Sequence, residues 1–299
     1  MVRREILDRV QKFVDPFRIA KGEGFRLKDI DPGDTLGLKM KKSEAADLLR
    51  RGTQWLAEEQ EMLWAQDRWS VLLIFQAMDA AGKDGTIKHV MSGVNPQGCQ
   101  VSSFKQPSAM DLNHDFLWRY VKRLPERGGI GIFNRSYYEE VLVVRVHEEI
   151  LRRQRLPPAR VSERIWGERL ADIARFEDYL ARQGTVILKF FLHLSRDEQK
   201  KRFLARLDRP EKNWKFSTSD LPERAFWADY MDAYEDALTA TTTEEAPWYV
   251  VPADNKWITR AVVADVITTG IRSLDLRYPE VTEAKLKLLK EARRQLQEE

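Results

Sequence analysis

Four short apolar runs, Ser70–Gln76 (SVLLIFQ), Gly129–Asn134 (GIGIFN), Thr185–Leu194 (TVILKFFLHL) and Trp248–Pro252 (WYVVP), are separated by stretches far longer than any hairpin turn. Runs that are apolar at nearly every position suit strands buried on both faces, and parallel strands need a long, usually helical, crossover between them. The spacing therefore predicts an α/β architecture, a doubly wound parallel sheet flanked by helices. Cys99–Phe104 (CQVSSF) reads as a weaker fifth strand.

Helical patterns fill the intervals at about 44–66, 84–93, 111–123, 136–150, 162–183, 196–208, 221–243 and 257–275. Ala46, Leu49, Trp55, Leu56 and Leu63 recur at helical spacing in the first. Ser219-Asp220 suits the start of the helix carrying Trp227, Tyr230 and Tyr234, aromatics assigned to the core or to the lining of an acceptor pocket. One main domain spans 44–278. Residues 1–43, with Pro16 and Pro32, read as an arm around it, and 279–299, with the charged run AKLKLLKEARRQLQEE, as a helical tail.

Composition narrows the function classes. Lys plus Arg exceed Asp plus Glu by 50 − 47 = 3, too small an excess to indicate a nucleic-acid binder. No apolar run reaches the length of a membrane span and the first residues lack the apolar segment of a signal peptide, so the expected compartment is the cytoplasm, with no membrane partner. The single Cys99 excludes an intramolecular disulfide, and His89, His114, His147 and His193 show no metal-ligand spacing. Charge is concentrated locally: Arg196–Lys215 (RDEQKKRFLARLDRPEKNWK) carries eight basic and four acidic residues, a positive surface if the basic side chains converge and an ordinary solvated helix face if they do not.

The first strand runs directly into Ala77–Thr86 (AMDAAGKDGT). A glycine-containing turn between strand and helix presents backbone N–H groups to phosphate oxygens, and the helix N-terminus adds partial positive charge. Lys83 stands six positions after Ala77, the separation between the first small residue and the phosphate-gripping lysine in G-x-x-x-x-G-K-[ST]. Ala77 nevertheless replaces the first glycine, and Asp84 replaces the hydroxyl residue that usually reaches Mg²⁺. A bare Gly-Lys pair would be an ordinary turn with an exposed lysine; the strand before it, the helix after it and Asp79 within it favour phosphate binding. Asp79 is then the candidate for holding a hard dication.

These residues resemble the G/A-x-D-x-x-G-K-x-x-T loop of the family-2 polyphosphate kinases. The resemblance continues through FRLKDIDP (25–32), VNPQGCQVSSFKQP (94–107), DFLWRYVKRLPERGGIGIFNRSYYEEVLVVRVH (115–147) and RPEKNWKFSTSDLPER (209–224) and spans about residues 25–278. It implies a P-loop kinase fold similar to thymidylate kinase with a helical lid at about 205–225. The implied reaction is reversible, Mg²⁺-dependent phosphoryl transfer between inorganic polyphosphate and adenine or guanine nucleotides, with Mn²⁺ as a substitute metal. A homo-oligomer, dimer or tetramer, is implied as well.

The implied site follows residue by residue. Asp79, Lys83, Arg135, Glu140 and Arg206 are the expected catalytic group; Ala80, Ala81, Gly82, Asp84, Gly85, Thr86, Lys88, Arg209, Lys212 and Lys215 the expected phosphate binders; and Asp79, Asn134 and Glu140 the expected metal ligands. Many family members carry Asp where this chain has Asn134. An asparagine can still meet Mg²⁺ through its carbonyl or a water without adding charge, with Glu140 supplying the carboxylate from the following turn. The N-R-S-x-Y-E-[ED] form, Asn134–Glu140, resembles the third class of the family, which accepts AMP and ADP. Arg135 suits bidentate phosphate contact or a salt bridge to Glu139 or Glu140, and Arg209 and Lys212 either a polyanion or Asp208 and Glu211. Two other readings share parts of this pattern: an ATP-dependent nucleoside monophosphate kinase, and a nucleotide- or polyanion-binding module without turnover.

Overall fold

A computed structural model describes residues 14–38, 42–218 and 220–299. Five parallel strands, β1 (Ser70–Gln76), β2 (Cys99–Ser103), β3 (Ile130–Asn134), β4 (Thr185–His193) and β5 (Trp248–Pro252), form one sheet in the order β2-β3-β1-β4-β5. β1 is central, pairing Val71 with Ile130 on one side and with Val186 on the other. All seven of its residues are buried. Val71, Leu73 and Phe75 enter one core, Leu72 and Ile74 the other, as the two-residue repeat of a strand covered on both faces requires. β2 lies at the sheet edge with only half-buried and exposed residues, which explains its weaker apolar pattern.

Helices α1 (Lys42–Gln66), α2 (Lys83–Val90), α3 (Ile165–Arg182), α4 (Arg196–Leu207), α5 (Trp227–Thr241), α6 (Lys256–Arg272) and α7 (Glu283–Glu298) carry the rest. Leu56 and Leu63 of α1 pack with Val262, Val266 and Ile267 of α6 on one face of the sheet. On the other face, Ile173 and Leu180 of α3 pack with Ala237 and Leu238 of α5. Tyr230 and Tyr234 are buried in that second core and Trp227 packs at its margin. The side chains of Ala46 and Leu49, and Ser219 as a whole, lie outside the described residues. Among the described residues no helix is long and apolar enough to cross a membrane.

Three long helices expected from the pattern are broken, the one at 221–243 by a 3₁₀ turn, Arg224–Phe226, so that α5 starts at Trp227 and not beside Asp220. In place of 111–123 there is a 3₁₀ turn, Asp111–Asn113, and one helical turn, Trp118–Val121. Asp115 Oδ1 accepts from the Leu117 amide, so a short polar side chain takes a bond that a continuous helix would need. In place of 136–150 there are a 3₁₀ turn, Tyr137–Glu140, and two short helices, Val143–Val146 and Glu148–Arg153. His147, with φ −119° and ψ 76°, separates the last two.

Arg18 and Ile19 lie antiparallel beside β5, and the chain then crosses to α5, where the Leu27 amide donates to Glu235. Ile19 donates its amide to the Trp248 carbonyl, and Asp254 donates to Pro32. Between α4 and α5 the chain forms single helical turns at Pro210–Asn213 and Asp220–Glu223 and a 3₁₀ turn at Arg224–Phe226, and Lys212, Trp214, Lys215 and Asp220 of this segment line one cavity with the start of α2.

Candidate active site

The phosphate-loop geometry begins where β1 ends. Ala80 and Gly82 both have positive φ, 65° and 102°, and Gly82 is the residue before α2. That backbone turns the chain sharply enough to start a helix directly beneath the strand end. The first turn of α2 leaves N–H groups without intrahelical partners, the arrangement that binds anions at helix N-termini. Lys83 Nζ donates to the carbonyl of Ala77 at 2.8 Å, so the side chain folds back along the loop. Burial, and then the neighbouring Arg135 cation, pull its pKa below the usual lysine value.

β3 ends beside this loop and delivers Asn134 and Arg135. Asn134 Nδ2 donates to Asp84 Oδ1 at 2.7 Å. A carboxylate can only accept, so the amide nitrogen faces Asp84 and the Asn134 carbonyl oxygen is left for other partners. Arg135 has φ 65° and donates its amide to Phe75. Its guanidinium bridges Asp79 at 3.3 Å and Glu139 at 3.4 Å. Glu139 first, and Asp79 after it, raise the Arg135 pKa against the opposing effect of burial.

A cavity of about 760 Å³ opens over these residues. It is lined by Asp79, Ala80, Ala81, Gly82, Lys83, Asp84, Gly85, Thr86, Asn134 and Arg135 below, and by Arg206, Lys212 and Lys215 from α4 and the turns after it. Arg206 Nη1 lies 3.9 Å from Asp220 and donates to the Lys215 carbonyl. Lys215 Nζ sits 5.0 Å over the Trp214 ring. Lys212 forms no ion pair among the described residues, so its charge is available to the cavity.

Three expected residues stand elsewhere. Lys88 and Arg209 are exposed and do not line the cavity. Glu140 is 5% exposed and points away from Asp79. Its Oε2 accepts from Gln154 at 2.6 Å and lies 3.5 Å from Arg169, at the wall of a separate cavity of about 90 Å³. Burial raises the Glu140 pKa, with Arg169 opposing. The 3₁₀ turn rotates successive side chains by about 120°, which places Glu139 beside Arg135 and sends Glu140 inward.

The structure also adds cations that the motifs do not reveal. Lys256 and Arg260, at the start of α6, line the same cavity, as does Lys105 after β2. Arg202 is 8% exposed and all of its donors are used: Nε to Glu198, Nη1 to the Ala80 and Ala81 carbonyls, Nη2 to the Ala253 and Asp254 carbonyls. It ties the phosphate loop to the end of β5. Its signal in the sequence was its spacing, one helical turn before Arg206 in the same basic run.

Asp79, Asp84 and the Asn134 carbonyl are hard oxygen donors around one cavity, and Mg²⁺ typically takes one or two protein carboxylates together with phosphate oxygens and water. The residues present therefore fit Mg²⁺. Among the described residues no three His, Cys, Asp or Glu side chains are grouped as a self-sufficient metal cage.

A parallel sheet with a phosphate loop at the end of its central strand, a second strand end bearing an arginine beside it, and basic turns above define a P-loop kinase, a phosphotransferase by class. The model of the polyphosphate kinase 2 family matches residues 39–279, and the chain belongs to that family. The chain is 53% identical over 285 residues to the ADP-polyphosphate phosphotransferase of Rhodopseudomonas palustris, covering 94% of this chain and 97% of that protein. It is 42% identical over 273 residues to the AMP/ADP-polyphosphate phosphotransferase of Meiothermus ruber, covering 91% and 98%. The crystal structure of polyphosphate kinase 2 from Arthrobacter aurescens TC1 superposes with a TM-score of 0.83 at 42% identity, covering 92% of this chain and 95% of that one.

Proposed function

We propose that this chain catalyses reversible, Mg²⁺-dependent phosphoryl transfer between inorganic polyphosphate and adenine nucleotides, AMP to ADP and ADP to ATP. The observation that carries the reading is the shared cavity, in which Lys83, Arg135, Arg206, Lys212 and Lys215 face one space with Asp79 at its edge. The names of the relatives, an ADP-polyphosphate and an AMP/ADP-polyphosphate phosphotransferase, support both the donor and the acceptors.

Phosphoryl transfer asks for positioning and charge neutralisation more than for covalent chemistry. The attacking oxygen of an acceptor phosphate is already largely ionised at neutral pH, its second pKa being about 6. No general base is needed. The backbone of the Ala80–Gly85 loop and Lys83 hold phosphate oxygens, Arg135 neutralises charge on the transferred group, and Arg206, Lys212 and Lys215 clamp the polyanion from above. Asp79, with Asp84 and the Asn134 carbonyl, would hold Mg²⁺, and the ion would supply neutralising charge to the phosphates. The Asp79 carboxylate also orients the Arg135 guanidinium, so one side chain serves both cation positions.

The deciding experiment is ATP formation from ADP and ADP formation from AMP, each with long-chain polyphosphate and no added ATP. Product with either acceptor supports the proposal. Turnover only when ATP is the donor would make the protein a nucleoside monophosphate kinase, and binding without turnover would make it a sensor.

A further inference from the structure

A buried polar cluster lies in the second core, away from the residues that line the cavity. Lys189, in the middle of β4, is fully buried, and its Nζ donates to Glu177 at 2.5 Å, to the Thr241 carbonyl at 2.7 Å and to the Tyr138 hydroxyl at 3.1 Å. All three ammonium protons therefore have acceptors. Glu177 Oε1 lies 2.8 Å from the Tyr137 hydroxyl and 2.9 Å from that of Tyr138. The Tyr138 hydroxyl is also 2.8 Å from Thr241 Oγ1, which accepts from the Trp248 indole. A buried ion pair adds little net stability over an apolar core of the same shape, so stability alone is a poor account of this cluster. What such a network does supply is a single geometry for the groups attached to it.

The attached groups are the two residues of the turn that follows Arg135. Arg135 is a non-glycine residue in the left-handed region, φ 65°, a conformation that costs energy and persists where its surroundings over-determine it. On one side its amide is fixed to the Phe75 carbonyl. On the other, Ser136 is fully buried, with Oγ accepting from Gln76 Nε2 and from the Tyr138 amide. Beyond Ser136, the rings of Tyr137 and Tyr138 enter the core and their hydroxyls end on the Glu177–Lys189 pair.

We propose that Tyr137 and Tyr138, tied by their hydroxyls to the Glu177–Lys189 pair, are positioning residues that keep Arg135 in its left-handed conformation and so keep its guanidinium aimed into the cavity. This rests on the phosphoryl-transfer reading of that cavity. The two tyrosines touch no substrate; they act through Arg135. Removing both hydroxyls leaves Lys189 with Glu177 and Thr241, and Thr241 with Trp248, while one Lys189 proton and Glu177 Oε1 lose their tyrosine partners, so some stability is lost with the core packing kept.

The test is a double-mutant cycle with four proteins: wild type, Arg135→Ala, the pair Tyr137→Phe with Tyr138→Phe, and all three changes together. Each is assayed with ADP and long-chain polyphosphate well below its melting temperature. The phenylalanine pair is expected to lower kcat about tenfold, the scale of a small misplacement of a reacting group, with a much smaller change in KM for ADP. Arg135→Ala is expected to lower kcat about 100-fold. The triple variant is expected to match Arg135→Ala within about twofold, because residues acting only through one group cannot act once it is gone. Multiplying effects, or wild-type kcat in the phenylalanine pair, would overturn the proposal while leaving the cavity reading in place. Wild-type turnover in Arg135→Ala would overturn both. If the pair fails to fold, Tyr138→Phe alone replaces it in the same cycle.

Discussion

The Asn134 amide donates to the Asp84 carboxylate at 2.7 Å, joining the end of β3 to the first turn of α2. The bond joins two residues that line the cavity and occupies the amide nitrogen of Asn134, not its carbonyl oxygen. Replacing the asparagine by aspartate sets two carboxylates against each other.

Asn134→Asp is therefore expected to tighten Mg²⁺ dependence and to change the ratio of AMP to ADP turnover more than the KM for polyphosphate, since AMP and ADP bring different amounts of metal-bound charge. Steady-state kinetics with both acceptors decide it. An unchanged ratio would mean that position 134 does not set acceptor choice.

Lys83→Ala is expected to abolish turnover in a folded protein. The lysine is bonded to the loop's own Ala77 carbonyl and can be removed without opening the core. Losing a preorganised cation costs about 3 kcal/mol of transition-state stabilisation, roughly 100-fold in rate or more. Circular dichroism with a turnover assay checks both halves, and near wild-type kcat would remove Lys83 from the phosphate site.

Asp79→Asn keeps shape and removes charge. Activity is expected to fall at low Mg²⁺ and to recover in part at raised Mg²⁺ or with Mn²⁺. Loss that no metal concentration restores would point instead to the other role of Asp79, its contact with Arg135.

Glu140→Gln should leave the Mg²⁺ activation curve unshifted, because its carboxylate faces Gln154 and Arg169 in the smaller cavity. It breaks a buried ion pair and leaves Arg169 uncompensated, so stability should fall by about 3 kcal/mol. Chemical denaturation and metal titration separate the two effects, and a large shift in metal dependence would return Glu140 to the metal site.

Burial on α6 raises the Asp265 pKa to about 7, against the opposing pull of Arg272. A carboxyl whose folded pKa exceeds its unfolded value holds a proton in the folded state that the unfolded chain has released. Stability from this group therefore falls as pH rises from about 4, the unfolded value, towards 7, and is level above that. Asp265→Asn should match the wild-type melting temperature near pH 4 and exceed it by a growing margin up to pH 7. A constant difference across that range would refute the assignment.

How legible the protein was depends on how local each feature is. β1, the turn after it and α2 are consecutive in the chain, from Ser70 to Val90, and the apolar run, the glycine and the lysine are read from neighbours in the chain. The strands at 70–76 and 248–252 match their apolar runs, because burial on both faces keeps the positions between their ends apolar. The pairing of Arg135 with Glu139 was one of the readings left open by the spacing, since residues four apart in a compact turn can meet.

The sequence by itself determined the sheet, the phosphate loop and the arginine beside it. The tertiary structure decided which of two adjacent glutamates meets Arg135, because a 3₁₀ turn after a left-handed Arg135 points consecutive side chains in different directions. It also decided that Arg202 is locked into five contacts while Arg206, four residues on, faces the cavity, and that Lys256 and Arg260 join it from the start of α6. Those assignments follow from the strand order, which sets elements more than a hundred residues apart side by side; no local spacing encodes such proximity.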